Sequence, residues 1–215
     1  MKHISEINNE QKNSWSGEFG NQYIERNNSL DVVNNDYRKL TGLTYHDIFS
    51  DFFQDLDKNI MILELGCNVG NNFSILKTMG FTKLYGLDTN TKAIDIAKSR
   101  HADVCFYNSS IEECKLPEKH FDLVFTAGVL IHMNPNALRG IIEKILSLTK
   151  RYVFGFESYS ESLTEVFYQN KHNMYWKQNF PQLFKKISPN LNLLKQKKIQ
   201  YIDSDLLDIA YLFEL

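Results

Sequence analysis

From Ile60 onward the chain alternates short apolar runs with amphipathic stretches. "IMILELG" (Ile60–Gly66) is a continuous apolar run closed by glycine, the pattern of a strand buried on both faces. Asn71 to Met79 follows as a helix, ended by Gly80. "KLYGLD" (Lys83–Asp88) predicts a second strand. Thr91 to Arg100 carries Ala93, Ile94 and Ala97 at helical spacing, with Thr91 as its expected cap. "ADVCFYN" (Ala102–Asn108) and "FDLVFTAG" (Phe121–Gly128) predict strands three and four. Asn134 to Leu148 places Leu138, Ile141, Ile142, Ile145 and Leu146 on one helical face, with Pro135 near the first turn. "RYVFGFE" (Arg151–Glu157) predicts a fifth strand. Two extended runs, "LLKQKKIQYI" and "LLDIAYLFEL", end the chain with no long helix between them, which suits an antiparallel hairpin at a sheet edge.

Strand alternating with helix predicts a mostly parallel sheet covered on both faces. The segment before Asn59 shows no strand pattern. Its first dozen residues are polar and expected to be loose. "DVVNNDYRKLTGLTYHDIFSDFF" (Asp31–Phe53) suggests one or two helices. The expected organisation is therefore a helical arm or lid over residues 1–58 and a Rossmann-like α/β domain over residues 59–215.

The composition narrows the function. With 215 residues, of which 43% are hydrophobic and 13% aromatic, there is enough apolar material for a folded core. A net charge of -2 gives no electrostatic reason to expect nucleic acid or an anionic membrane as partner. Cys67, Cys105 and Cys114 show no paired spacing, so neither a disulfide framework nor a metal site is expected, and a cytoplasmic location follows. The polar N-terminus shows no secretory signal, and the longest apolar stretch, Leu123 to Met133, is too short to span a bilayer. A small-molecule acceptor is the expected partner, for a monomer or homodimer.

In parallel sheets ligands bind beyond the carboxyl ends of the strands. The first such end reads "ELGCNVG". Its glycines, Gly66 and Gly70, are separated by three residues, whereas a dinucleotide loop needs G-x-G-x-x-G. Asn68 stands where the second glycine would let a pyrophosphate approach the backbone. The second strand nevertheless ends in Asp88, an acid placed to accept both hydroxyls of a ribose. The nucleoside half of the fingerprint is kept and the phosphate half is missing. Adenosine joined to something other than phosphate fits, and S-adenosylmethionine is such a molecule. Glu64 is expected to hold its amino group, directly or through water, and the loop N–H groups its carboxylate. Ser109, Ser110 and Ile111, after the third strand, are expected to meet the adenine.

"LELGCNVG", "YGLDTN" and "FDLVFTAGVLIHM", in this order and spacing, resemble motifs of the class I S-adenosylmethionine-dependent methyltransferases. The resemblance covers Asn59 to Leu215. It implies a seven-stranded sheet whose last strand is antiparallel. It also implies cofactor contacts at Glu64, Gly66, Cys67, Asn68, Gly70, Asp88, Thr89, Ser109, Ser110, Ile111, Thr126, Gly128 and Val129. "WSGEFGNQYIERN" (Trp15–Asn27), "ELGCNVGNN", "LDTN" and "VLIHMNP" further resemble the pseudaminic acid biosynthesis-associated methylases, whose glycine loop also carries asparagines. That family tends to carry Tyr-Arg-Gly and an acid beside phenylalanine late in the chain. Here "YQN" (Tyr168–Asn170) and "NFP" (Asn179–Pro181) stand in their place, and Gln169 removes a cation that an anionic substrate would need. The implied activity is methyl transfer to a small molecule, an acidic or amino sugar or its nucleotide-linked form in bacterial surface-glycan synthesis. Another small carboxylate or amine metabolite is the alternative acceptor, and a non-catalytic nucleoside-binding module the alternative role.

Methyl transfer needs a base only when the attacking group must lose a proton. His132 and Glu157, after the fourth and fifth strands, are the candidates. Trp15, Phe19, Tyr23 and Arg26 are expected on a lid and Tyr159, Tyr168 and Trp176 around the acceptor, with Arg26 able to pair with a carboxylate. A nicotinamide-dependent reductase is disfavoured by the loop spacing. Nucleic-acid methylation lacks both a basic face and the Asn/Asp-Pro-Pro-aromatic motif after the fourth strand.

Overall fold

A computed structural model describes residues 4–215, with side chains from Asn9 onward. Four helices come first: α1 (Ile4–Ser16), α2 (Glu18–Arg26), α3 (Leu30–Thr41) and α4 (Tyr45–Phe53). The alternating core follows as β1 (Met61–Leu65), α5 (Asn71–Thr78), β2 (Lys83–Asp88), α6 (Thr91–Arg100), β3 (Cys105–Asn108) and β4 (Phe121–Ala127). A 3-10 turn at Leu130–His132 leads to α7 (Leu138–Leu148) and β5 (Thr149–Tyr159). A two-stranded hairpin, β6 (Thr164–Glu165) and β7 (Trp176–Lys177), precedes α8 (Phe180–Ile187), β8 (Asn192–Gln200) and β9 (Leu207–Glu214).

The main sheet has seven strands in the order β3-β2-β1-β4-β5-β9-β8. Strands β1 to β5 pair in parallel, and β9 runs antiparallel to both of its neighbours. This is the Rossmann-like arrangement expected, with its antiparallel last strand. The strand order reverses between β1 and β4, and the crevice beyond their carboxyl ends is where such sheets bind ligands.

Two apolar layers flank the sheet. On one face Phe49 and Phe53 of α4 meet Phe125 of β4 and Phe154 of β5, with ring centroids 4.8–6.2 Å apart. On the other, Ile141, Ile142 and Ile145 of α7 and Phe180 and Phe184 of α8 cover Val124, Val153 and Tyr211. Each fully buried phenylalanine contributes roughly 1.5–3 kcal/mol. Because α4 belongs to the same core as the sheet, a boundary at residue 58 does not separate two cores.

Several local expectations are corrected. Ile4 to Ser16 is helical rather than loose; residues 1–3, covered by the same reading, lie outside the described residues. The stretch Asp31–Phe53 holds two helices, as expected, started by Ser29 and by the Thr44–Asp47 capping box; α1 and α2 before it were not expected as separate helices. Asn90, not Thr91, caps α6, its side chain accepting from the Ala93 N–H at 3.1 Å. Thr91 instead bonds Asn108. The helix expected from Asn134 starts at Leu138, because the Asn134 side chain accepts from the Asn136 N–H and builds a turn around Pro135. Strand β3 starts at Cys105, since Val104 still turns back to His101. The β6–β7 hairpin and α8 were not legible in the aromatic segment 165–184.

Candidate active site

The carboxyl ends of β1, β2 and β4 open into one cavity, roofed by α1 and α2. Its floor is the loop from Gly66 to Gly70. Gly66, Asn68 and Gly70 have φ of 74°, 47° and 81°, in the left-handed region. A side chain at Gly66 would lie 2.5 Å from Val129, so the glycine lets the β4 loop close onto β1. The Gly66 and Cys67 N–H groups both donate to Leu87 O, at 2.7 and 3.0 Å, clamping the loop to β2. The Asn68 N–H donates to Asp88 Oδ2 at 2.8 Å, and the Asn90 N–H to Asp88 Oδ1 at 2.8 Å. Asp88 is thus held by backbone on both oxygens, each with a lone pair to spare for a ligand. Burial raises its pKa from the ordinary value, and those N–H groups pull it back.

Glu64 lies one strand away, 2% exposed. Its Oε1 accepts from Asn72 Nδ2 at 2.6 Å, and its Oε2 is buried with no partner among the described residues. Burial pushes this carboxyl well above the usual range, opposed by the Asn72 bond. The same burial pushes the Cys67 thiol up, so Cys67 is a wall and no nucleophile. Ser109, Ser110, Ile111 and Thr89 border the opposite end of the cavity, with Ile111 buried. Ser110 caps its own turn through the Glu113 N–H. Gly128, at φ 67°, and Val129 form the rim toward β4.

His132 is buried on the far wall. Its Nδ1 lies 2.7 Å from Met174 O, and since a carbonyl only accepts, Nδ1 carries the proton and Nε2 keeps a lone pair. Burial lowers its pKa to about 4, with the Met174 bond opposing. Trp15 packs on the ring at 4.5 Å, backed by Tyr168 and Tyr175 at 5.3 and 5.5 Å. The Trp15 Nε1 is buried without a partner among the described residues.

Of the residues singled out from sequence, the structure brings Glu64, Gly66, Cys67, Asn68, Asp88, Thr89, Ser109, Ser110, Ile111, Gly128, Val129, Trp15, Tyr23 and His132 together around this cavity. Others stand elsewhere. Gly70 caps α5. Thr126 and Glu157 lie beneath the rim. Glu157 accepts from the Val129 and Leu130 N–H groups on Oε1 and from Ile131 on Oε2, at 3.2–3.3 Å, so it braces the turn that carries His132. Burial lifts Glu157 to about 7, opposed by Thr126 and those N–H groups. Those three N–H groups occupy the carboxylate expected to bind substrate or a proton at the rim. Phe19, Tyr168 and Arg26 form an outer layer, Arg26 lying 6.0 Å from the Tyr23 ring. Tyr159 bonds Lys198 and Asn179 away from the cavity, and Trp176 is buried in the small hairpin. Sequence reading missed Tyr45, Asn72 and Asn90, which line the cavity. The asparagine-rich text was the available signal for the last two.

The donor set fits S-adenosylmethionine. A backbone-held carboxylate at the end of β2 suits a ribose, and an orphaned buried carboxylate oxygen at Glu64 suits an ammonium. Comparisons with known proteins agree. Residues 62–151 match the methyltransferase domain family Methyltransf_25. No curated protein was matched by the sequence. Among solved structures, magnesium protoporphyrin IX methyltransferase (ChlM) from Synechocystis PCC 6803 with bound SAH is similar, with TM-score 0.70 and 12% identity over 97% of this chain and 99% of that one. A SAM-dependent methyltransferase from Leishmania major is similar with TM-score 0.67 and 16% identity, over 96% and 82%. The [4+2]-cyclase SpnF shares the fold too, with TM-score 0.62 and 12% identity over 79% of each chain. Residues 62–151 therefore carry a methyltransferase domain, and the chain is a methyltransferase enzyme of the S-adenosylmethionine-dependent fold.

Proposed function

We propose that the enzyme methylates a small molecule bearing an amine or hydroxyl, such as an amino sugar, with the acceptor lying beside His132. The observation that carries this reading is the roof: Trp15 and Tyr23 from the N-terminal helices line the same cavity as Glu64 and Asp88. A covered pocket suits a small acceptor better than a nucleic-acid strand. On this reading Asp88 takes the ribose hydroxyls, Glu64 Oε2 the ammonium, and Ser109, Ser110 and Ile111 the adenine. The bound cofactor supplies a methyl group on a sulfonium, which leaves by in-line displacement.

The protein's own part is alignment. His132 Nε2 accepts a hydrogen bond from the acceptor N–H or O–H and aims its lone pair. With a pKa of about 4 it does not store the proton at neutral pH, so the proton passes to solvent. An acidic sugar finds less support. The cation expected to hold it, Arg26, is not on the cavity wall, and Lys12, which is, pairs with Glu113. The test is to incubate the enzyme with S-adenosylmethionine and matched amino, neutral and acidic sugars, free and nucleotide-linked, and to measure S-adenosylhomocysteine released. Faster release with the amino or neutral compounds is expected. Preference for the acidic set would overturn the acceptor class.

A further inference from the structure

Asn90 does three things at once. Its backbone N–H donates to Asp88 Oδ1, its side-chain oxygen caps α6, and its Nδ2 donates to Trp15 O and to Asn21 Oδ1, both at 3.1 Å. It is 4% exposed. The partners lie 75 and 69 residues away, at the end of α1 and within α2. The approach is close because α2 has glycine at position 20. A Cβ there would lie 1.9 Å from Trp15 O and 2.8 Å from Asn90 Nδ2. Trp15 in turn packs on His132.

We propose that Asn90 is a positioning residue that latches the α1–α2 roof to the strand end carrying Asp88. Through Trp15 it aligns the His132 wall with the cofactor pocket. The connection runs Asp88, Asn90, Trp15, His132, every step a hydrogen bond or a ring contact. It differs from the ties at the other end of α2. Asn71 Nδ2 donates to Asn27 O and Arg100 to Asn28 O, both at the far end of α2. Those hold the roof from behind, whereas Asn90 holds the edge that faces the reaction. The attachment stands on geometry alone; its coupling to cofactor binding rests on the function proposed above.

Two variants separate the latch from the helix cap. Asn90→Ser keeps an oxygen able to cap α6 but is too short to reach Trp15 O. Gly20→Ala leaves Asn90 and its cap intact and drives the roof off the bond. Hydrogen exchange of the ligand-free protein is the first readout. Both variants are expected to raise exchange at least tenfold in residues 13–21, with α6 unchanged. Faster exchange in α6 alone, or an unchanged roof in either variant, would overturn the latch. The second readout is Trp15 fluorescence in a Trp176→Phe background, where Trp15 is the one tryptophan left. S-adenosylhomocysteine is expected to change that signal in the background protein, and both variants to lose most of the response. An undiminished response in them would overturn the coupling. If the background protein itself fails to bind S-adenosylhomocysteine by calorimetry, the cofactor assignment falls while the exchange result still judges the latch.

Discussion

Glu64→Gln is the sharpest probe of the pocket. The side chain keeps its shape and its acceptor for Asn72, but loses the charge at the position of Oε2, a buried oxygen with no protein partner. If that oxygen holds the cofactor ammonium, the variant loses one hydrogen bond between charged groups, worth about 1.5–3 kcal/mol. At about 1.4 kcal/mol per decade, affinity falls roughly 10- to 150-fold. S-adenosylmethionine and S-adenosylhomocysteine both carry the ammonium, so both should weaken in parallel. Without ligand the sign reverses. An ionised carboxylate with an orphaned oxygen costs about 1–3 kcal/mol to bury. The amide of the variant leaves an unpaired donor at the same place, so the expected result is a trend: relative to wild type the free variant should gain stability as pH rises from 5 to 8. Titration calorimetry in buffers of different ionisation enthalpy gives a third check. Burial raises the Glu64 pKa and an ammonium would lower it, so wild type should release protons on binding and the variant should not. Affinity within twofold of wild type would refute the ammonium role.

Asp88→Ala should weaken cofactor binding at least about 100-fold, from the loss of two charge-assisted bonds of about 1.5–3 kcal/mol each; calorimetry checks it. His132→Gln, once an acceptor is found, should cut kcat with little change in S-adenosylhomocysteine affinity. Because His132 sits near pKa 4, the wild-type rate should show no His132 inflection between pH 6 and 8. Glu157 behaves as an acid raised to about 7: the native state holds its proton where the unfolded chain has released it, so stability should fall as pH rises from about 4.5 to 7, by roughly 3 kcal/mol at most. Urea unfolding at pH 5 and 8 should show that slope in wild type and a shallower one in Glu157→Gln.

The central sheet was legible because apolar runs and their glycine or acid endings are local signals. Gly66, Asp88 and the Ser109–Ile111 turn could be placed from strand order alone, and the structure sets all of them at one cavity. What escaped depends on contacts distant in sequence. Nothing near Glu157 says that its carboxylate faces three N–H groups 26–28 residues upstream. Nothing near Met174 says that its carbonyl fixes the tautomer of His132. The N-terminal helices blurred for another reason: α1 and α2 are polar on average, α2 buries only Phe19, Gly20 and Ile24, and roof contacts such as Gln11 to Asn173 O are distant in sequence.

The asparagines show why this loop suits a nucleoside without phosphate. A pyrophosphate cradle needs loop N–H groups free and turned outward at a helix N-terminus. Here the Gly66 and Cys67 N–H groups are bound to Leu87 O, and that of Asn68 to Asp88. The left-handed turn at Asn68, tolerated by asparagine better than by most residues, delivers that last bond. Asn72 then steadies Glu64, Asn71 the end of α2, and Asn90 the roof edge. Each amide makes neutral, directional bonds where a lysine or arginine would bring a positive charge beside the sulfonium and ammonium of the proposed cofactor. A substitution such as Asn72→Lys should therefore harm cofactor binding more than Asn72→Ala. The alanine removes only the brace on Glu64, whereas the lysine neutralises Glu64 and competes with the ligand for it. Equal losses of S-adenosylmethionine affinity in the two variants, measured by calorimetry, would refute that reasoning.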